Sequence, residues 1–416
     1  MRSKLKSFIE NLIAVLIAAY CCVPSINDIV FCFIHKSTMT ILYAIIIVSL
    51  VIVLLMLLIK GKRIVLDARF ILILLYVVVF YIIGRLLGFT DIEPVYFVCW
   101  FVAPFSLFYL LKKVSSFSLK NLLFFISIIP SIGILVYREI FALSEQSTIS
   151  MGTSYNFLTP VLACIACALF YFVKLSLVKK LLYVPIVIIN AVYFFELAKH
   201  GSRGPILCVL FFLIIFLLVS FDDKKRKIIF HPIRALTALI VLVFAIVNLR
   251  PILVSLSSVF DSSILEKMII LYDNNNILNN RSNEFIAASS TIFDSIFIGH
   301  GISSFRYFTG YVYPHNIFLQ LLFDGGIVLF LIFIVPLILS VAKLFLKSSK
   351  DDYSFALYFF SVAFVHALVS GNIWANEKLW LLYSYSLISL VTFSSVKRTR
   401  VHASIDFQNR YEKEQR

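Results

Sequence analysis

Residues 298–328 contain the densest group of side chains that could do chemistry in an otherwise apolar chain. The group comprises Gly299, Gly301, Arg306, His315 and Asn316. Histidine titrates near pH 6.5, so a neutral imidazole can accept a proton under working conditions. We therefore predict that His315 is a general base and that Asn316 orients its imidazole or a substrate hydroxyl. The other three residues are predicted to bind substrate. The alternative for His315 is a capping or interfacial role.

The residues around His315 predict where its imidazole lies in the local structure. Pro314 disfavours helix at the residue before it and suits the start of a new helix. His315 is then expected in the first turn, where exposed N–H groups and the helix dipole favour anions and keep the imidazole neutral. Both effects suit a base that works beside a phosphate.

Two more arginines, Arg203 and Arg281, are candidates for binding an anion. Arginine presents a planar fork of N–H donors that holds a phosphate in a bidentate manner. Arg203 lies in the segment ELAKHGSRGP, where one helix is expected to end near Gly201 and the next to begin near Pro205. His200 precedes Arg203 by about one turn and is a further candidate for substrate binding. The alternatives are that Arg203 snorkels to lipid headgroups or pairs with a nearby glutamate, and that Arg281 is a solvated loop charge.

The composition indicates which elements must position these residues. Of the 416 residues, 61% are hydrophobic and 14% are charged, and the mean hydropathy is +0.99. Soluble domains average about 45–50% apolar and about 25% charged residues. Apolar runs of about 20 residues recur along the chain, and a spanning segment must satisfy its backbone groups internally. The sequence therefore predicts an all-α integral membrane protein.

About 12 transmembrane helices are predicted. They cover approximately 8–24, 38–59, 69–88, 95–111, 119–142, 157–173, 178–198, 205–221, 234–253, 317–346, 353–371 and 378–396. With the amino terminus in the cytoplasm, the alternating loops place most of the 37 lysines and arginines on the inner side. The protein is thus predicted to be multi-pass with both termini cytoplasmic.

This topology also predicts the domain organisation. Residues 1–396 are expected to form a single membrane domain, and residues 397–416 a cytoplasmic tail. Within the membrane domain, residues 254–316 form a large, partly helical outer loop between the ninth and tenth helices. A connection of this length is usually functional or disordered. Arg203, Arg281 and His315 all fall on the outer side in this topology.

Several classes of function are disfavoured. The sequence has no Walker loop, no GxSxG elbow and no HExxH motif, and its histidines lack metal-ligand spacing, so we predict no metal and no cofactor. The seven cysteines lie in or beside apolar runs, and even the CxxC pair Cys164 and Cys167 is predicted to be buried thiols. The net charge of +15 is explained by the inner-side bias, so no nucleic acid partner is predicted.

The motifs and their order resemble those of a known family. GSRGP follows an outer-side helix, an arginine lies in the large outer loop, and GxG..SF and PHN..LQ.....G come next. This arrangement is similar to that of the superfamily of O-antigen polymerases and O-antigen ligases. These are integral-membrane glycosyltransferases of bacterial lipopolysaccharide synthesis. The resemblance covers the topology of the whole chain, with the motifs in residues 200–326, and it implies a GT-C-like architecture.

The resemblance implies roles for individual residues. The family uses glycans linked to undecaprenyl pyrophosphate, on the periplasmic face of the bacterial inner membrane and without a metal. Arg203 matches the arginine of SRGP and Arg281 the loop arginine, and both are expected to hold the pyrophosphate. His315 matches the histidine of PHN and is expected to deprotonate the acceptor hydroxyl. The resemblance also implies a chain-length regulator protein as a partner.

Three functions remain open at this point. The form PHNIFLQLLFDGG favours a polymerase, which extends a lipid-linked repeat unit. The alternative within the superfamily is a ligase, which transfers the glycan to lipid A–core. A flippase for the same lipid-linked unit is the alternative from another class. It is disfavoured because we find neither internal two-fold repeats nor ionisable residues near the middle of the spans.

Overall fold

The computed structural model describes most of the chain, and the majority of the described residues are helical. The described residues are 2–34, 37–62, 64, 66–133, 150–200, 203–222, 224–225, 227–260, 263–274, 281–346, 348–369 and 372–390. The helices in the first half are α1 (Arg2–Cys21), α2 (Val23–Ile34), α3 (Met39–Ile59), α4 (Ala68–Leu86), α5 (Pro94–Val114), α6 (Leu119–Ile128), α7 (Ser150–Tyr171), α8 (Leu177–His200) and α9 (Arg203–Leu218).

The second half of the chain contains a short hairpin and the remaining helices. They are β1 (Val219–Asp222), β2 (Lys227–Phe230), α10 (Pro232–Val247), α11 (Leu249–Phe260), α12 (Ser263–Asp273), α13 (Arg281–Ile292), α14 (Phe305–Thr309), α15 (Ile317–Leu346), α16 (Lys350–Val369) and α17 (377–390). The predicted tail, residues 397–416, and the end of the predicted span 378–396 lie outside the described residues.

The helices have the length and composition of membrane-spanning segments. Among the described residues, five helices are long and apolar enough to cross a membrane, namely α3, α4, α5, α15 and α16. Two bent pairs, α1 with α2 and α10 with α11, pass the same test together, and α6 to α9 contain shorter apolar helices. The protein is therefore a helical membrane protein.

Aromatic side chains fill the centre of the bundle. The largest fully buried side chains include Trp374 and Trp380, whose rings stack at a centroid separation of 5.2 Å. Phe101 of α5 meets both indoles edge-on, at 6.0 and 4.6 Å. Large aromatic residues bury much apolar area and fix neighbouring helices through specific ring contacts. Leucine and isoleucine side chains such as Ile59 and Ile233 are instead exposed on the outside of the bundle, where lipid would cover them.

Two predicted spans are broken rather than straight. The span predicted at 8–24 bends by 63° between α1 and α2, and the one at 234–253 bends by 80° between α10 and α11. Pro24 is the second residue of α2 and Pro251 the third residue of α11. Proline is tolerated in the first turn of a helix, because an N–H group there would make no hydrogen bond within the helix. In a helix interior the missing N–H breaks a hydrogen bond. The proline therefore lies just after each bend.

The hairpin β1–β2 is a departure from the all-α prediction. Val219 pairs with Phe230 and Asp222 with Lys227 in antiparallel register. Asp222 Oδ1 accepts the backbone N–H groups of Lys224 and Lys225, which closes the turn. The strands are only four residues long, too short to show an alternating pattern in the sequence.

The segment 254–316 folds back onto the bundle. Where it is described it is largely helical, from the end of α11 through α12, α13 and α14. Helix α12 packs against α8, and α13 packs against α15. These two contacts bring the middle of the segment to the end of the bundle where α9 and α15 begin.

Candidate active site

Arg203 is the first residue of α9 and follows closely on the end of α8. The next residue, Gly204, is packed so tightly that a β-carbon there would lie 1.4 Å from Tyr155 Oη. The Tyr155 ring in turn stacks on His366 of α16, with centroids 3.8 Å apart. Only glycine permits this approach. Gly204 thus lets the start of α9 pack against α7 and α16. The N–H groups and positive dipole end of a helix start suit an anion.

Arg281 is the first residue of α13 and reaches across to α16. Its Nη1 donates a hydrogen bond to the carbonyl oxygen of Val369, the last residue of that helix. Carbonyl groups at a helix end lack partners within the helix, and a basic side chain is favourable there. This contact anchors α13 beside the site and holds the guanidinium in place.

The structure brings Arg203 and Arg281 close enough to repel each other. Burial lowers the pKa of Arg203, and the positive charge of Arg281 lowers it further. Two guanidinium groups held together at the start of a helix form a strongly positive site. Such a site is stabilised when an anion lies between them.

His315 lies near Arg281 but not in the predicted conformation. We expected it in the first turn of a helix, yet α15 begins at Ile317 and His315 precedes it, with a left-handed φ of 49°. Asn316 is the reason, because its Oδ1 accepts the N–H groups of Phe318 and Leu319 at 2.9 and 3.2 Å and so caps the helix. Asn316 therefore caps α15, and its role in orienting the imidazole or a substrate hydroxyl stays a prediction.

Glu284 is the site residue that the sequence analysis missed. Its Oε2 lies 3.8 Å from Nε2 of His315, and both side chains are about one-fifth exposed, at 20% and 21%. Burial raises the pKa of the Glu284 carboxyl, while the neighbouring Arg281 acts in the opposite direction. The available signal was the spacing of Arg281 and Glu284, which puts both on one face of a helix. It was hidden because the Asn-rich surroundings resemble a solvated loop.

Of the two glycines predicted to bind substrate, Gly299 lies directly against the backbone of α15, and Gly301 donates its N–H to that backbone. A β-carbon at Gly299 would lie 2.5 Å from the carbonyl carbon of Asp324, and one at Gly326 would lie 2.3 Å from that of Phe297. The segment passes over a break in α15, where Gly326 has a φ of 62°. The N–H of Gly301 donates to Asp324 O at 2.9 Å. These contacts give Gly299 a packing role and leave its role in substrate binding a prediction.

Backbone hydrogen bonds across this break stabilise the kink. The N–H groups of His300 and Ile327 donate to Phe323 O and Ile296 O, both at 2.8 Å. Gly326 interrupts the helical hydrogen-bond ladder, and these bonds use backbone groups on both sides of the interruption. The segment 296–301 thereby fixes the direction in which the first part of α15, and with it His315, enters the site.

Arg306 and His200 are the remaining residues predicted to bind substrate. Arg306 is exposed on α14, and among the described residues its side chain makes no hydrogen bond or ion pair. His200 ends α8, but its side chain lies outside the described residues. His300 Nε2 lies 2.9 Å from the carbonyl oxygen of Thr291, so its ring is held by the fold.

The part of the chain that the structure describes contains histidines, acidic residues and cysteines whose arrangement bears on metal binding and thiol chemistry. No group of three or more His, Cys, Asp or Glu side chains there could hold a metal ion. Cys164, Cys167 and the four other cysteines with described side chains are buried free thiols. This matches the environment predicted for them.

A comparison with known families identifies the segment that carries the site. Residues 191–334 match a family model described as O-antigen ligase. No curated protein and no solved structure matches the chain. The matched segment includes Arg203, Arg281, Glu284 and His315, which the fold brings to one end of the bundle. This segment is therefore similar to a family described as O-antigen ligase, and the similarity supports the superfamily of O-antigen ligases and polymerases that the motifs indicated.

Proposed function

We propose that the protein is an O-antigen polymerase, which transfers a glycan from undecaprenyl pyrophosphate to the end of a lipid-linked repeat unit. The observation that carries the proposal is the meeting of Arg203 and Arg281 beside His315, at the starts of three helices. The paired guanidinium groups fit a pyrophosphate, and the imidazole fits a sugar hydroxyl. The family match supports a glycosyltransferase over the flippase considered from the sequence.

The reaction follows from these residues as a single displacement. His315 takes the proton of the acceptor hydroxyl, and the oxygen attacks the anomeric carbon of the donor glycan. The bond between that carbon and the pyrophosphate oxygen breaks, and the departing pyrophosphate gains negative charge. Arg203 and Arg281 stabilise this charge more strongly in the transition state than in the bound donor, which is the differential effect that catalysis requires. Inversion at the anomeric carbon is expected.

The predicted topology also indicates on which side of the membrane the proposed site lies. With both termini in the cytoplasm, the starts of α9, α13 and α15 face the periplasm of the bacterial inner membrane. A pyrophosphate at the head of a membrane-embedded polyprenol would lie at this depth. Labelling of single introduced cysteines by a membrane-impermeant reagent tests this orientation. A residue near 310 should be labelled in intact spheroplasts, and one near 225 only after lysis.

The lipopolysaccharide of a deletion strain tests the function. Loss of a polymerase leaves lipopolysaccharide with a single repeat unit, whereas loss of a ligase leaves bare core. Complementation with His315→Ala or Arg203→Ala should fail although the variants insert into the membrane. Arg250→Ala is the matched control, because Arg250 pairs with exposed Asp273 at 2.8 Å. Wild-type chain length with both site variants would contradict the assigned roles.

A ligase is the second candidate, because the matching family model carries that description. The same cluster would then bind the same donor, and only the acceptor would differ. Purified protein in detergent, supplied with lipid-linked repeat units alone, separates the two. Polymer formation supports the polymerase, and product that forms only when lipid A–core is added supports the ligase.

A further inference from the structure

We propose that Glu284 is the positioning residue for His315, holding the imidazole in its working orientation and stabilising it once it has taken the proton. The inference rests on the proposed function. It starts from the 3.8 Å approach between Glu284 Oε2 and His315 Nε2. The two residues come from different elements, α13 and the segment before α15, so the approach is made by the tertiary structure.

The environment of Glu284 argues against a purely structural role. Oε2 of Glu284 is buried and accepts no hydrogen bond from the described residues. A structural carboxylate would be expected to satisfy itself with nearby N–H groups, because a buried acceptor without a partner is costly. The imidazole of His315 lies 3.8 Å from Oε2, and Arg281 acts on the same carboxyl.

The backbone conformation of His315 is unfavourable, so contacts from neighbouring residues must hold this residue in place. Its left-handed conformation, with φ of 49°, is unfavourable for a residue with a β-carbon. Asn316 fixes the backbone by capping α15, and the ring of Tyr313 lies 4.3 Å from the imidazole. Tyr313 contacts the imidazole, but its uncharged phenol cannot offset the positive charge that the imidazole gains on protonation. The carboxylate of Glu284 supplies the negative charge that can.

The carboxylate would act when the proton moves. As the acceptor hydroxyl loses its proton to the imidazole, a positive ring forms beside Arg281 and Arg203, which repel it. A carboxylate 3.8 Å from the ring offsets this repulsion and keeps the ring facing the hydroxyl. Carboxylates orient and stabilise catalytic histidines in the same physical way in other enzymes. Glu284 itself neither gains nor loses a proton in this step.

A matched control separates this role from a general effect of an acidic residue near a helix start. Glu284 is the fourth residue of α13, and Glu266 is the fourth residue of the neighbouring helix α12. Each lies in the first turn, where an acidic group is favoured by the helix dipole. Glu266 is exposed. Glu266→Gln therefore removes the same charge at the same helical position without touching His315.

The experiment measures kcat and KM of the purified protein with lipid-linked repeat units, for Glu284→Gln, Glu284→Asp, Glu266→Gln and His315→Ala. For Glu284→Gln we expect kcat to fall by at least about tenfold with KM changed less than about twofold, because the proton transfer is impaired and donor binding is not. Glu284→Asp should recover part of kcat. Glu266→Gln should match the wild type.

The outcomes distinguish the inference from the proposed function. If His315→Ala is inactive but Glu284→Gln has the wild-type kcat, the inference is wrong and the function stands. If Glu284→Gln raises KM without lowering kcat, Glu284 binds substrate and does not position the base. If His315→Ala retains activity, the proposed function fails. Should Glu284→Gln not insert, Glu284→Ala decides because it also removes the carboxylate, and a wild-type kcat in that variant overturns the inference.

Discussion

Gly299 lies so close to Asp324 that a β-carbon on the glycine would be 2.5 Å from the carbonyl carbon of the aspartate. This contact joins the segment before α14 to the break in α15. The hydrogen bonds of the neighbouring backbone, such as Gly301 N–H to Asp324 O, depend on the same approach. The direction of the first part of α15, and thus the location of His315, depends on it as well.

Gly299→Ala should therefore destabilise the protein more than an alanine at a similar but open glycine. A left-handed conformation costs an alanine about 1–2 kcal/mol. Gly310 has a φ of 77°, close to the 70° of Gly299, but a β-carbon there would meet nothing within 4 Å. Gly310→Ala should lower the thermal midpoint in detergent only through this conformational cost, and Gly299→Ala should lower it further through the contact with Asp324. An equal midpoint for the two variants would show that the contact with Asp324 yields easily.

Substitutions at Asn316 should separate helix capping from a direct role in the reaction. Loss of an N-cap costs about 1 kcal/mol, and serine caps about as well as asparagine. Asn316→Ala should lower the thermal midpoint and the activity, whereas Asn316→Ser should restore both. If Asn316→Ser is stable but inactive, the amide contacts substrate or the imidazole, as first predicted from the sequence.

Replacing Arg203 or Arg281 by lysine should lower activity by at least about tenfold without unfolding the protein. Lysine keeps the charge but cannot offer the planar donor fork that binds phosphate in a bidentate manner. Arg250→Lys is the control, since exposed ion pairs contribute about 0–1 kcal/mol and this one lies outside the cluster. Activity in detergent with lipid-linked repeat units is the measurement. Full activity of both site variants would argue against a bidentate contact.

The two stacked tryptophans should respond differently to loss of their indole donors. Trp374 Nε1 donates to Asp324 Oδ2 at 2.6 Å, and Trp380 Nε1 donates to Ile373 O at 3.0 Å. Hydrogen bonds to a carboxylate contribute about 1.5–3 kcal/mol, against about 1 kcal/mol for a neutral pair. Trp374→Phe should lower the thermal midpoint more than Trp380→Phe. The reverse order would mean that Asp324 finds another donor.

The stability of the protein should depend on pH through Glu284. Burial raises the pKa of this carboxyl above its ordinary value of 4.5, despite Arg281 and with Tyr313 and His315 nearby. The folded state therefore holds the proton to a higher pH than the unfolded state. Stability from this group is lost as pH rises from about 4.5 through the folded pKa.

Glu284→Gln removes this dependence. The thermal midpoint of the variant, relative to the wild type, should rise as the pH increases above about 4.5. Melting curves in detergent at several pH values test this. A variant that becomes relatively less stable with rising pH would show that the ionised carboxylate stabilises the fold.

Residue types and apolar run lengths were enough to predict a helical membrane protein and to single out Arg203, Arg281 and His315. Helical spans follow from local composition, because a backbone in lipid must bond to itself. The bends after α1 and α10 and the hairpin β1–β2 did not follow. Each depends on a few residues at an element boundary, where tertiary packing outweighs the hydrophobic pattern.

The sequence by itself determined which chemical groups the protein has: two arginines that could bind an anion, one histidine that could accept a proton, and apolar helices to carry them. Only the tertiary structure decided that Arg203 and Arg281 repel each other, that Glu284 faces His315, and that Gly299 is packed against α15. The physical reason is that these contacts join residues far apart along the chain. Charge pairing and close backbone approach depend on distances in space, which spacing along one segment does not contain.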